Sequence, residues 1–368
     1  MKTLLIIIIS VVTWPADSCA QIIRYNPGGD STIAVTLEGY ADLYFGFDFD
    51  QPKDGNRPYF VSHVRHNEFN VNLAYLGIKY TAPRARASFT PGFGTYMNAN
   101  YAAERLTLQN VVDAYVGVKL FKNRDIWIDA GVFGAPYTTE SAIAFDQFLY
   151  TRSFAAEYSP YYLTGGKMTV PLGKKVSLYL YLINGWQVIV DSNAQLSMGS
   201  QLEIKPSKKL TINWNTYVGN EHPVSSTQNK GRYFIDMYCI YTPSEKLALS
   251  LDVYGGRQKL ADSILKKEPV NWGQANVNAR YFITNSSSVS ARAEYYRDLH
   301  SVFIVPITGV TGFDCASFSL GYNLQITKNV VFRVEGRYFT SSRNVFYNDK
   351  LVPVSSDELF IGGLIAKF

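Results

Sequence analysis

The connectors of this chain alternate in length with a regularity that few folds accommodate. From residue 31 onward, segments of about ten residues rich in Tyr, Phe, Val and Thr recur to the end, the composition and length of β-strands. Short connectors fall at 82–84, 122–124, 171–174, 206–208, 243–245, 284–287 and 327–329. Long ones fall at 51–65, 98–107, 134–157, 185–194, 220–230, 256–270, 298–310 and 341–355. Antiparallel neighbours joined in this way place every short turn at one end of a sheet and every long loop at the other. The segments number about sixteen, the even count that closing an up-and-down barrel in a bilayer requires.

Side chains on a strand alternate between two faces, so each segment can be tested for a two-residue period. In 316–326, Ala316, Phe318, Leu320, Tyr322, Leu324 and Ile326 oppose Ser317, Ser319, Gly321, Asn323 and Gln325. Leu210, Ile212 and Trp214 oppose Thr211, Asn213 and Asn215, and Val289, Ala291, Ala293 and Tyr295 oppose Ser290, Arg292, Glu294 and Tyr296. The first strand sets Val35, Leu37, Ala41, Leu43, Phe45 and Phe47 against Thr36, Glu38, Asp42 and Asp48. In 66–81 the period slips near Ala74, which suggests a bulge. A soluble sandwich would turn its polar faces to bulk water and fill them with Lys and Glu. Here those faces carry Ser, Thr, Asn, Gln, Gly and Tyr with occasional charges. That favours a barrel with lipid outside and water within, and leaves a sandwich or soluble solenoid as the other reading.

The ends agree with export to a membrane. Lys2, the apolar run Leu4–Val12 and Ser18-Cys19-Ala20 have the layout of a cleaved secretory leader. Residues 1–20 are therefore expected to be removed, 21–31 to form a short N-terminal segment, and 32–368 to form one barrel domain. An acylated Cys19 is the poorer alternative, because Ala16-Asp17-Ser18 does not match a lipoprotein signal. The last strand alternates Phe360, Gly362, Leu364 and Ala366 and ends on Phe368, resembling the C-terminal aromatic signature read by the barrel assembly machinery. Tyr80, Tyr137, Trp186, Tyr217, Tyr241, Tyr281 and Tyr338 lie near strand ends, where interfacial aromatic girdles are expected. After the leader, Cys239 falls on the apolar face and Cys315 on the polar one, so no bridge between them is expected. The net charge of +5 is spread along the chain without a basic block, which argues against nucleic acid as a partner.

Two stretches, Leu37–Phe60 and His66–Tyr80, resemble the opening of the beta-barrel porin-2 (OmpL-like) family of bacterial outer-membrane proteins. Residues 138–170 are similar to that family's long loop, whose Ser-Arg-Ser-like element reads Thr151-Arg152-Ser153 here. The resemblance covers the mature chain. It implies a porin-like outer-membrane barrel of a Gram-negative cell, without naming a substrate.

The expected fold is thus an all-β transmembrane antiparallel barrel of about sixteen strands. Such a barrel is wide enough for an aqueous channel. Its inward charges would be Glu38, Asp42 and Asp48 on the first strand, and Arg280, Arg292, Glu294, Arg333, Glu335 and Arg337 on four successive later strands. The arginines are expected either to form a basic ladder on one wall or to be neutralised by Glu294 and Glu335. The longest connector, 134–157, is expected to fold inward as a constriction, with Glu140, Asp146, Arg152 and Glu157 as its polar groups. Ile143, Phe145, Phe148, Leu149 and Phe154 would anchor it to the wall, and its carboxylates would face the arginines across the opening. The alternative is an external loop packed on its neighbours.

Passive diffusion of small hydrophilic solutes is the function these features favour. A non-conducting barrel acting in binding, adhesion or structure is the alternative. Other expected partners are outer-membrane lipid, lipopolysaccharide and the assembly machinery, with an oligomer possible. No cofactor or metal is expected. Catalysis is disfavoured: the four histidines are His63, His66, His222 and His300, and no glycine-framed serine or metal-ligand spacing accompanies them.

Overall fold

The computed structural model describes residues 33–193, 195–221, 231–259 and 269–368. The expected leader, the segment 21–31 and His222 lie outside these residues. Sixteen strands close into one antiparallel barrel, each paired with its sequence neighbours. They are β1 (Ala34–Asp48), β2 (Phe69–Thr81), β3 (Ala85–Phe93), β4 (Val111–Phe121), β5 (Arg124–Gly134), β6 (Tyr162–Pro171), β7 (Val176–Ile183) and β8 (Ser197–Ser207). The circuit continues with β9 (Leu210–Asn220), β10 (Gly231–Ser244), β11 (Leu247–Gln258), β12 (Val270–Phe282), β13 (Ser287–Asp298), β14 (Phe313–Thr327) and β15 (Val330–Thr340). A two-residue ribbon, β16 (Phe346–Tyr347) with β17 (Pro353–Val354), sits in the last long loop, and β18 (Ser356–Lys367) completes the wall.

Closure satisfies the two backbone edges that an open sheet would leave in hydrocarbon. β1 pairs with β18 through Leu43↔Leu364 and Phe47↔Phe360. At the end of this seam, Gly39 N donates to Phe368 O and Phe368 N donates to Gly39 O, at 2.6 and 2.9 Å. The Phe368 ring occupies the space where a side chain on Gly39 would stand. A larger residue at 39 would have to turn that ring aside.

The two-residue period holds around the wall. Leu43, Phe89, Trp214, Phe318, Leu320 and Phe360 point out and are exposed, while their neighbours Asp42, Ser88, Asn213, Ser317, Ser319 and Leu359 are buried inside. The slip in β2 is a bulge. Asp42 pairs with Leu73 and Leu43 with Val71, which leaves Asn72 as the extra residue, two positions before Ala74. The bulge turns Asn72 into the lumen, where it donates to Asp42 Oδ2 at 2.9 Å and accepts from His63 N at 2.7 Å. Cys239 is half-buried on the outer face, Cys315 is buried inside, and both are free.

Part of the expected girdle lies elsewhere. Tyr241, Tyr281 and Tyr338 do face outward. Tyr137, Trp186 and Tyr217 instead lie inside the loop end of the barrel, where Trp186 packs on Tyr137, Tyr217, Phe234 and Phe303. Tyr137 and Trp186 are connector residues, for which strand parity assigns no face. A second group centres on Phe154, against Phe60, Tyr296, Phe313 and Phe339. These aromatics fill the loop end of the barrel, so the apolar core of the molecule lies there.

Candidate functional site

A long connector that lies inside a barrel has no strand ladder to satisfy its backbone, so its amides and carbonyls need other partners. Residues 135–161 find theirs on the inward side chains of the wall. Thr138 N and Thr139 N donate to Asp236 on β10 and Asp252 on β11, at 3.1 and 3.0 Å. The chain then crosses to β1, where Ala144 N donates to Tyr40 Oη at 2.8 Å and Tyr150 Oη donates to Asp42 Oδ1 at 2.6 Å. Returning along β15, Tyr150 N and Thr151 N both donate to Glu335 Oε2, at 2.9 and 2.7 Å. Phe154 N ends the passage on Glu294 of β13, at 2.8 Å. There Ser153 caps the short helix α1 (Phe154–Glu157).

The arginines hold the carbonyls of the same segment. Arg333 donates to Leu149 O and Phe145 O at 3.0 and 2.9 Å. Arg337 donates to Arg152 O at 2.8 Å, Arg292 to Thr151 O at 3.0 Å, and Arg280 to Gln147 O. Arg292 also pairs with Glu140, Glu294 and Glu335 at 3.2, 3.5 and 3.3 Å, and Arg337 pairs with Glu294. Buried charges of this kind persist when both partners are hydrogen-bonded and close. Here Arg292 and Arg337 find carboxylates, while Arg333 and Arg280 are held by neutral oxygens of the loop and wall.

Several sequence expectations change in this light. The arginines come from three strands, β12, β13 and β15; β14 between them contributes Ser317, Ser319 and Asn323. All nine expected pore-lining residues have the inward parity read from the sequence. However, Asp42, Asp48, Arg292, Glu294, Arg333, Glu335 and Arg337 are buried rather than facing water, and Arg280 is partly so. The loop does not face the arginines across an opening; it lies directly on them. Within the loop, Arg152 is fully buried and ties its two limbs together through Ser141 O, Ala142 O and Tyr150 O. Glu140 is sequestered between Arg292 and Ser153. Glu157 accepts from Val61 N and Ser62 N at 2.7 and 3.4 Å, fastening the first long loop. Burial pushes its carboxyl above the usual range, opposed by those same amides and Arg152. Only Asp146 of the four remains well exposed, paired with Lys367 at 2.6 Å.

Sequence reasoning gave Glu38 but missed the other charges of the wetter wall, Lys79, Arg86 and Lys167. Lys79 on β2 pairs with Glu38 at 2.7 Å, with side-chain exposures of 42% and 33%. Arg86 on β3 and Lys167 on β6 clasp the buried Asp129 of β5 at 2.6 and 3.3 Å, and keep 30% and 20% exposure. On the arginine wall the corresponding figure for Arg292 and Arg337 is 0%. Solvent therefore reaches Glu38, Lys79, Arg86 and Lys167 and not Arg292 or Arg337. Alternation in 85–93, with Arg86, Ser88 and Thr90 against Ala87 and Phe89, was the signal available for Arg86.

His63 is not a solvated loop histidine. It is fully buried, with Nε2 3.1 Å from Asp42 Oδ2 and its ring against Tyr44 and Tyr150. Burial lowers its pKa below the usual value, so the neutral ring donates from Nε2 to the Asp42 carboxylate. A histidine used in this way orients a loop. Among the described residues no group of three or more His, Cys, Asp and Glu is arranged to hold a metal ion.

Structural comparison places the barrel among solved outer-membrane porins. It is similar to the outer membrane channel DcaP of Acinetobacter baumannii, with a TM-score of 0.66 and 10% identity, covering 92% of this chain and 98% of that one. It is similar to OmpT of Vibrio cholerae, with a TM-score of 0.60 and 12% identity over 95% and 100% of the two chains. The anion-selective porin of Comamonas acidovorans gives 0.58 and 11% over 91% and 100%. At these identities the likeness establishes the fold. No curated protein matches the sequence. The profile of the family described as "Putative beta-barrel porin-2, OmpL-like" matches residues 34–368, and the chain belongs to that family.

Proposed function

We propose that this protein is an outer-membrane channel for passive diffusion of small hydrophilic solutes, narrowed from within by residues 134–157. One observation carries the reading: the longest connector crosses the lumen and is fastened to the β10–β15 wall and β1 by buried side chains, leaving the partly exposed charges Glu38, Lys79, Arg86 and Lys167 uncovered. Solutes would pass along Glu38, Lys79, Arg86 and Lys167, a surface carrying both signs, so selectivity between ions would be weak. The leader 1–20 would direct export, the terminal Phe368 would serve the assembly machinery, and the outward band would meet lipid and lipopolysaccharide. A trimer form of Vibrio cholerae OmpT has been solved, which supports testing for an oligomer here. Membership of a porin family and the structural engagement of His63 support a non-enzymatic role.

A second reading has its own support. The aromatics at the loop end are closely packed, and Asp298 accepts from Val302, Phe303 and Ile304 N at 2.9, 2.7 and 3.0 Å, holding Phe303 over the mouth. A barrel fixed in this way would bind partners at its outer loops and conduct nothing. Liposome swelling with sugars of graded size separates the two. The channel reading expects swelling that falls with solute size. No swelling from correctly inserted barrels would favour the closed reading.

A further inference from the structure

Basic residues are scattered along the sequence, but closing the barrel gathers many of them at one end. Arg84, Lys122, Lys174, Lys175, Lys208 and Lys209 lie in the successive short turns β2–β3, β4–β5, β6–β7 and β8–β9, and all are exposed. Lys246 in β10–β11 and Lys328 in β14–β15 carry the same sign further round the rim. Acids do not balance them. Among the described residues Glu245 is the one carboxylate in these turns. Asp125 and Glu203, on adjoining strands, are already paired with Lys119 and Lys205 at 3.1 and 2.8 Å. None of the turn cations enters an ion pair among the described residues. Lys209 donates to Pro243 O at 3.0 Å, which leaves its charge uncancelled.

A rim of one sign repels itself and draws in anions. Its place on the barrel narrows what those anions are. Exposed apolar residues run down to the same turns: Phe121 directly precedes Lys122, Leu172 lies two positions before Lys174, and Ile326 two before Lys328. Such spacing sets the charges where hydrocarbon gives way to headgroups. Lys and Arg at this boundary lay their methylene stems along apolar surface and extend the charge into the polar layer. Several cations at a membrane surface favour lipids of net negative charge over zwitterionic ones. The short turns of an outer-membrane barrel face the periplasm, so the leaflet concerned is the inner one. An anionic polymer beyond the membrane would need charges that stand clear of the apolar band, and turns this short keep them at its edge.

We infer that the turn end of the barrel is a binding rim for the headgroups of anionic phospholipids, concentrated on the arc from β2 to β9. The inference rests on the outer-membrane reading and does not depend on conduction. Trp214 is a built-in reporter, since it is exposed on the outer face of β9, the strand that follows Lys208 and Lys209. Trp186 and Trp272 pack inside the loop end, and Trp127 lies against Arg86. The barrel is reconstituted in phosphatidylcholine vesicles holding a fixed fraction of brominated phosphatidylglycerol or, as control, of brominated phosphatidylcholine. Phosphatidylglycerol should quench Trp214 as a lipid enriched several-fold at this surface, and the excess should shrink as salt screens the rim. Replacing Lys208, Lys209 and Lys246 together by Gln should abolish the excess in a barrel that still shows heat-modifiable gel mobility. If that variant fails to fold, Lys208→Gln with Lys246→Gln, which spares the Lys209 contact to Pro243, should lose most of it. Equal quenching by the two lipids in the parent, or an excess that survives the substitutions, overturns the inference. Equal quenching together with sedimentation on peptidoglycan overturns it as well, in favour of an anionic polymer. A lipid preference in a barrel that conducts nothing keeps the rim and removes the channel. Conduction with equal quenching does the reverse.

Discussion

Glu335 is the residue on which the lumen loop most depends, and Glu335→Gln tests how firmly. Its carboxylate takes the amides of Tyr150 and Thr151 and the Thr151 hydroxyl at 2.7 to 2.9 Å, and pairs with Arg292 at 3.3 Å. Breaking a buried ion pair from one side costs roughly 3–5 kcal/mol. The loss is reduced here because Arg292 keeps Glu140 and Glu294, at 3.2 and 3.5 Å. Losing a charged acceptor for two backbone amides restores part of it, at roughly 1.5–3 kcal/mol per bond, and contributions within one network do not add. About 3 kcal/mol is a reasonable net loss, which raises the released population of the loop by a factor on the order of 100. The strand ladder is untouched, so the barrel itself should persist. Arg152 is fully buried in the anchored loop and becomes a trypsin site on release. When reclosing outpaces cleavage, proteolysis follows the released population. Cleavage after Arg152 should therefore rise by about two orders of magnitude in Glu335→Gln, with unchanged heat-modifiable mobility. Cleavage at the parental rate would refute the assignment of Glu335 as the anchor.

Three further outcomes follow from the wall and the first loop. Leu320→Arg places a charge on the exposed outer face and should cost about 2–4 kcal/mol near mid-bilayer, whereas Asn323→Arg, facing inward beneath Phe148 O, should fold yet displace the loop; the folded fraction by gel mobility compares them. Gly39→Val drives a side chain into the Phe368 ring and should impair closure, while Gly336→Val, with nothing nearby, should assemble normally in the same assay. Burial and then the charges of Asp48, Glu358 and Asp349 raise the Asp50 carboxyl to about 6. Because the folded state then binds its proton more tightly than the unfolded chain, stability falls as pH rises from about 4 to about 6. Asp50→Asn should raise the melting temperature at pH 7.5 and leave it nearly unchanged at pH 4, and an equal shift at both would contradict this.

The wall was legible in the sequence because a barrel obeys one local rule repeated many times. Two-residue alternation gave the inward parity of Asp42, Arg292, Glu335 and Arg337, and the slip read near Ala74 corresponds to the bulge at Asn72. The expectation that residues 134–157 fold inward rested on length, aromatic content and a place after the fifth strand that resembles the constriction loop of general porins. The partners of the arginines were hidden, since the contacts of Arg333 with Leu149 O and of Glu335 with Thr151 N join positions 184 apart in sequence. Nothing local distinguishes an arginine that faces water from one that holds a carbonyl. Trp186 and Tyr137 were misplaced because periodicity ends where the strand ends, and the engagement of His63 was hidden because its partner Asp42 lies on another element.

The central claim is that water passes through the barrel and that residues 134–157 set the width of the path. Single-channel conductance in planar bilayers, comparing the parent with a variant lacking residues 141–152, tests it most directly. Deletion removes the loop from the buried arginines, returns that wall to water and should increase the conductance step several-fold, in line with the wide lumen of a porin-sized barrel. Equal steps from parent and deletion, or silence from both after verified insertion, would contradict the account.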